Sequence, residues 1–427
     1  MRIFVSVLIF SLSIFQLNAQ FKSSIITRES EVPKYQLPEL LISENEQKIT
    51  TKEQWETIRR PELLEFFTNQ VYGIMPKKKI EAKYQTLEFQ TNSLKGKATR
   101  KQVNIIFSND DKKISMSLLI YTPIGVKKSP VFLGYNFNGN HTVNNDPEIL
   151  INGKQEDELG EKKIMILKRD ARGSRSSRWA IDKIIESGYG LVTVNYNDID
   201  PDKNDFSDGI HPLFYSKGQL KPESDQWGSI SAWAWGMFRV MDYLEIESLV
   251  DEKKVILFGH SRLGKTALWA GANDNRFSIV ISNNSGCGGA AISRRRFGEK
   301  VADINKNFPH WFAKNFHNYN ENESRLPIDQ HMLLALIAPR PVYVASASED
   351  SWADPKGEFI SAKEASIIYD LYNLKGIDSS YFLPPLNTPI HRNVAYHLRE
   401  GDHDVTQYDW NQFIEFARKY FSLYNIK

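Results

Sequence analysis

A single cysteine, Cys287, stands in 427 residues, so no disulfide can form within the chain and core burial must hold the fold. Charge of one sign is not in excess: 54 basic residues against 52 acidic leave +2, which gives no electrostatic footing for nucleic acid or a membrane surface. Beyond the N-terminal segment no stretch approaches about eighteen uninterrupted apolar residues, so no membrane-spanning helix is expected. H-E-x-x-H and other ligand spacings are missing, so neither a metal nor a cofactor is implied. Internal repeats and low-complexity tracts are also lacking, and nothing calls for an obligate protein partner.

What is present begins with Met1-Arg2, an apolar run from Ile3 to Ile14, and Leu17-Asn18-Ala19 ahead of Gln20. This pattern predicts a cleavable signal peptide over residues 1–19 and a mature protein that is secreted or periplasmic. Residues 20–427 are expected to form a single catalytic domain, roughly 400 residues being enough for a large core. Its first part, 20–61, is polar and without period, an irregular arm laid over the body. Pro61 to Tyr72 reads as a helix, with Leu63, Leu64, Phe66 and Phe67 near helical spacing. Gln102–Ser108 and Ile114–Thr122 alternate around Asn109-Asp110-Asp111-Lys112, a hairpin pattern. From Pro130 onward, apolar strands alternate with helical segments. The strands are Pro130–Tyr135, Gly190–Tyr196, Val255–Phe258, Phe277–Ser282, Arg340–Ser346 and Val394–Leu398. The helices lie around Ala180–Glu186, Gly228–Leu244, Ala362–Tyr372 and Trp410–Tyr424, with one more directly after Ser261. Gly228–Leu244 is apolar almost all round and predicts a buried helix with Trp233 and Trp235 in the core. The alternation implies an α/β fold, a mostly parallel central sheet in a three-layer sandwich, with ligands bound at the carboxyl ends of the strands.

Val255 to Gly271, VILFGHSRLGKTALWAG, packs a buried strand, a sharp turn and a helix start into one stretch. Its centre is Ser261. The nucleophile elbow of α/β-hydrolases is written G-x-S-x-G, small residues on either side letting the chain turn with the hydroxyl at its apex. Here Leu263 occupies the second small position and the glycine, Gly264, comes one residue later.

A serine nucleophile needs a base, and the base needs an orienting carboxylate, in the chain order Ser, acid, His for this fold. His403, in Arg399-Glu400-Gly401-Asp402-His403-Asp404 after the last strand, is the best placed histidine. His260 is too close to the serine along the turn to serve as base and is assigned to packing. His141 is a candidate lining residue, while His310, His317, His331 and His391 carry no informative spacing. For the acid, Asn283 to Gly289 contains no carboxylate, whereas the loop after Arg340–Ser346 carries Glu349, Asp350 and Asp354. Asp350 is selected, with the other two as rivals. Arg262 and Lys265 add cations beside the nucleophile, where a helix N-terminus already favours an oxyanion. Together they point to an anionic or hydroxyl-rich substrate.

GHSRLGK, Asn283 to Glu299 (NNSGCGGAAISRRRFGE), Ser348 to Phe359 (SEDSWADPKGEF), GNH after the first strand and GDHDVT around His403 resemble the glucuronoyl esterases, carbohydrate esterase family 15. The resemblance runs from about Pro130 to the C-terminus. It implies an α/β-hydrolase that cleaves the ester between 4-O-methyl-glucuronic acid branches of glucuronoxylan and lignin alcohols. By motif, it implies Ser261 as nucleophile, His403 as base and Arg262 as oxyanion donor. Lys265, Glu299 and Trp352 would then hold the hydroxyls and ring of the glucuronate. One position departs: many members carry a glutamate where this chain has Asn284, and others use an aspartate after the following strand, which corresponds to Asp350. An acetyl or other carbohydrate esterase of the same fold, or a catalytically silent carbohydrate-binding protein, are the competing readings.

Overall fold

The computed structural model describes residues 25–151 and 171–424, so the expected signal peptide lies outside the described residues. The strands are β1 (Glu81–Ser93), β2 (Ala98–Asn109), β3 (Lys112–Pro123), β4 (Ser129–Asn136), β5 (Gly190–Asn195), β6 (Val250–His260), β7 (Ile279–Asn283), β8 (Val342–Ala347) and β9 (Val394–Arg399). They form a nine-stranded sheet in the order β1-β2-β3-β5-β4-β6-β7-β8-β9. From β5 to β9 every neighbouring pair is parallel. The β1-β2-β3 meander is antiparallel and joins β5 antiparallel. The expected hairpin is β2-β3. β1 was not legible, because it is an edge strand largely exposed on both faces and so has no apolar alternation to read.

Both faces of the parallel strands are buried, which is why these strands read as continuous apolar runs. Along β6, Val255 and Leu257 point into one core while Ile256 and Phe258 point into the other. The first core is closed by α3 (Ser229–Leu244), α4 (Arg262–Asn273) and α5 (Pro355–Ala365), and the second by α2 (Ile181–Glu186) and α6 (Gln407–Tyr424). This is the three-layer arrangement of an α/β-hydrolase. Trp233 is fully buried and Trp235 nearly so, as their place on an all-apolar helix requires. Each such large side chain contributes about 1.5–3 kcal/mol relative to exposure.

Two helix starts differ most from expectation. Helical structure begins at Lys52, where Thr51 accepts a hydrogen bond from the Gln54 N–H, and runs through α1 (Arg60–Phe67) to Tyr72. The helix expected at 362–372 starts earlier, at Pro355. Asp354 caps it by accepting from the Gly357 N–H at 3.0 Å, and Pro355 supplies a pre-set φ for the first turn. A second short helix, Ile367–Asp370, follows. No helix of the described residues is long and apolar enough to cross a membrane.

Candidate active site

The chain turns sharply between β6 and α4 and forces Ser261 to φ 59° and ψ −129°, a strained conformation for a residue with a Cβ. Backbone bonds hold it there: the Ser261 N–H donates to Asn283 O at 2.9 Å, and Ser261 O accepts from the Gly264 N–H at 2.9 Å. Gly259 is required, since a Cβ on it would lie 1.9 Å from Leu263 O. The shifted second glycine also has a cause. Leu263 is buried in the core, and it is Gly264 that α4 presents to β7, where a Cβ would come within 3.0 Å of Ser285 and 3.1 Å of Ser282 Oγ.

Ser261 opens onto a cleft of about 270 Å³ at the carboxyl ends of the strands. The seven residues given a catalytic or sugar-binding role from the sequence line it: Ser261, Arg262, Lys265, Glu299, Asp350, Trp352 and His403. His403 Nδ1 lies 2.6 Å from Asp350 Oδ2. A carboxylate only accepts, so Nδ1 is the donor in this contact. Asp350 is buried. Burial pushes its carboxyl up, but hydrogen bonds from His403, the Asn284 amide at 2.8 Å and the Ala353 N–H at 3.3 Å outweigh this and leave it below the ordinary aspartate value. The rivals are placed elsewhere: Glu349 is exposed, and Asp354 caps α5 while pairing with Arg295 at 2.8 Å.

His260 packs, as expected, with Nδ1 2.6 Å from Asn283 Oδ1 and its ring 4.6 Å from that of His403. Burial and the neighbouring His403 drive its pKa down to about 3, so it is neutral at working pH. His141 is buried and does not line the cleft.

The rest of the cleft is polar forks and aromatic walls. Lys265, buried, donates to Ser285 O and sits 3.9 Å from Glu299 Oε2. Burial lowers the Lys265 pKa and raises that of Glu299, while each partner opposes the other's shift. Trp352 accepts from the Glu299 N–H at 3.0 Å through its carbonyl, lines the cleft and is itself 41% exposed. The Arg262 guanidinium lies over Trp311, 4.6 Å from the ring centroid, and its Nε is buried without a hydrogen-bond partner. Sequence reasoning missed Trp311, Phe308, Asp202 and His310 as neighbours of Arg262. The rule that loops after strands carry the site could have drawn attention to the segment after β5 that holds Asp202, but the Phe308-Pro309-His310-Trp311 run has no such signal.

Comparison with known proteins gives the family. Residues 177–373 match the model of the fungal glucuronyl esterase family. Carbohydrate esterase MZ0003, from an unknown prokaryotic organism, is 48% identical over 394 residues, covering 91% of this chain and 90% of that one. The chain belongs to the glucuronoyl esterases, carbohydrate esterase family 15. It is a carboxylic ester hydrolase. A glucuronoyl esterase from Solibacter usitatus, 46% identical, superposes with a TM-score of 0.84 over 91% of this chain and 99% of its own. So does a promiscuous member of the family from a marine bacterial metagenome, 47% identical, with a TM-score of 0.84 over 92% and 99%. The glucuronoyl esterase fold therefore extends well beyond the segment that the family model matches.

Proposed function

We propose that this glucuronoyl esterase is secreted and hydrolyses the ester between 4-O-methyl-D-glucuronic acid side chains of glucuronoxylan and lignin alcohols, through an acyl-enzyme. The observation that carries the mechanism is the 2.6 Å contact between His403 Nδ1 and Asp350 in a cleft shared with the strained Ser261. His403 Nε2 takes the Ser261 proton as the oxygen attacks the uronate carbonyl. The tetrahedral oxyanion meets the α4 N-terminus and the part of the Arg262 guanidinium that lines the cleft, donors that are in place before charge develops. His403 returns the proton to the departing alcohol, and then activates the water that releases the acid. Lys265, Glu299 and Trp352 are assigned to the glucuronate hydroxyls and ring. A 4-O-methyl-glucuronoyl methylesterase of Podospora anserina, 34% identical in an alignment 177 residues long that covers 38% of this chain and 36% of that one, supports the substrate class. Secretion rests on residues 1–19 alone.

A broader ester range is the second reading, favoured by the 47% identity to an esterase described as promiscuous. Comparing kcat/KM on benzyl glucuronate, benzyl galacturonate and an acetyl ester separates the two, the first substrate being preferred if the proposal holds. Ser261→Ala should abolish hydrolysis of all three and leave the melting temperature nearly unchanged, because the side chain stands in the cleft. Appreciable turnover by that variant excludes a serine mechanism.

A further inference from the structure

An arginine is a poor oxyanion donor unless something fixes it, because its long side chain samples many rotamers and preorganised donors are what stabilise a transition state. Nothing in the elbow itself holds Arg262. The grip comes from Asp202, in the turn that follows β5.

The Asp202 carboxylate accepts from four side chains. Oδ2 takes Arg262 Nη1 and the Tyr196 hydroxyl, the latter at 2.8 Å. Oδ1 takes His310 Nε2 at 2.9 Å and Trp311 Nε1 at 2.7 Å. The Asp202 N–H is in turn held by Asn197 Oδ1 at 2.9 Å. Burial pushes this carboxyl up, but His310, Arg262, Trp311 and Tyr196 together outweigh it and keep it ionised. The same assembly fixes the faces of the guanidinium. Trp311 lies on it, and Phe308 stacks on Trp311 at 3.8 Å with 5° between the planes and stands 5.3 Å from Arg262. One edge of the guanidinium is thus tied to a carboxylate and one face to a ring, Nε is buried, and the quarter of the side chain that stays exposed lines the cleft beside Ser261.

We propose that Asp202 is the positioning residue of the oxyanion arginine: by anchoring Nη1 and Trp311 at once, it sets the guanidinium plane so that the remaining N–H edge faces the reacting carbonyl. This rests on the reading of Arg262 as the oxyanion donor. Asp202 itself does not line the cleft, so it acts through Arg262 and not on the substrate. Pairing with a carboxylate offsets the positive potential of Arg262 at the site, but an oxyanion hole works by fixed N–H dipoles, for which orientation matters more.

A double-mutant cycle on the full chain with benzyl glucuronate tests the idea. Arg262→Gln should lower kcat by roughly a hundredfold or more, the loss expected for one oxyanion donor. Asp202→Asn should lower kcat by about tenfold or more with KM within about threefold, since the carboxylate that orients the donor is gone. In the Arg262→Gln background the same substitution should change kcat by less than about twofold. Additive losses, a loss confined to KM, or full kcat in Asp202→Asn each overturn the proposal while leaving the oxyanion reading standing. Full kcat in Arg262→Gln overturns the oxyanion reading, and this proposal with it. Should Asp202→Asn fail to fold, His310→Phe removes one donor and keeps the carboxylate. It should cost a few fold in kcat in the parent and nothing further beside Arg262→Gln, and an equal loss in both backgrounds overturns the proposal.

Discussion

Asn284 sits where a neutral amide cannot orient a histidine, yet it is buried against the residue that can. Its Nδ2 donates to the same Asp350 oxygen that His403 contacts, at 2.8 Å and 2.6 Å respectively. The two positions therefore share one hydrogen-bonding point, one supplying charge and the other a donor. Asp350→Asn should keep the fold and substrate affinity but lower kcat by about 10²- to 10⁴-fold, as neutralising a triad acid does. Asn284→Glu in that background should recover part of the loss, because a carboxylate there lies beside the vacated point. Recovery is expected to be incomplete, since residue 284 has φ 47°, a conformation asparagine tolerates better than glutamate. Steady-state kinetics of both variants check this, and near-normal kcat in Asp350→Asn would move the acid elsewhere. At this scale Ser261, His403 and Asp350 were readable because each falls in a short pattern at the end of an apolar run. Asp202 was not readable as a partner of Arg262 and His310, which lie 60 and 108 residues away with no local pattern linking them.

Helix α5 shows how an element ties the site loops together through a buried acid. Glu358 accepts the N–H groups of Ser285 at 2.7 Å and Gly286 at 2.9 Å, and its other oxygen lies 2.6 Å from Ser346 Oγ. It thereby joins α5 to the ends of β7 and β8, from which Asn284 and Asp350 are presented. Burial pushes its pKa from 4.5 to about 8, against the opposing pull of Ser346 and the two N–H groups. The sign follows directly. Below the ordinary value both folded and unfolded chains hold the proton; between it and about 8 only the folded chain does, so this group's contribution to stability falls as pH rises, and levels off above about 8. Glu358→Gln cannot titrate. Its melting temperature relative to the parent should climb from about pH 5 to pH 8, since other groups cancel in the difference. A difference that stays constant over that range would mean Glu358 is ionised in the fold. The start of α5 escaped sequence reading for a related reason. Its first turns bury Gly357 and Glu358, not an apolar stripe, so periodicity registers only from further along.

Across the whole molecule, the parallel strands and their covering helices were legible because two-sided burial writes continuous apolar runs into the chain. The N-terminal arm was expected as an irregular segment, but how it is held was not legible, since backbone and ionic contacts leave no period. His331 Nε2 meets Pro38 O at 3.1 Å, and Arg59 donates to Glu39 O and Leu40 O, both at 3.2 Å. Further upstream the arm reaches the rim of the cleft. The Gly298 N–H donates to Ile26 O at 2.7 Å, and Glu29 pairs with Arg295 and, at 2.7 Å, with Lys356. Gly298 in turn lies against Trp352, where a Cβ would fall 2.5 Å from its carbonyl oxygen. The arm thus backs the short segment that leads into Glu299, opposite the exposed indole. A chain beginning at Val32 should keep the sheet and melt no more than a few degrees lower, because Arg295 retains Asp354 and exposed ion pairs contribute little. Its KM for benzyl glucuronate should rise about threefold or more, with kcat on a small activated acetate ester within about twofold of the parent, since only the larger substrate engages Glu299 and Trp352. An unchanged KM would make the arm mere cladding, and equal losses on both substrates would place its effect on the triad instead of on the sugar rim.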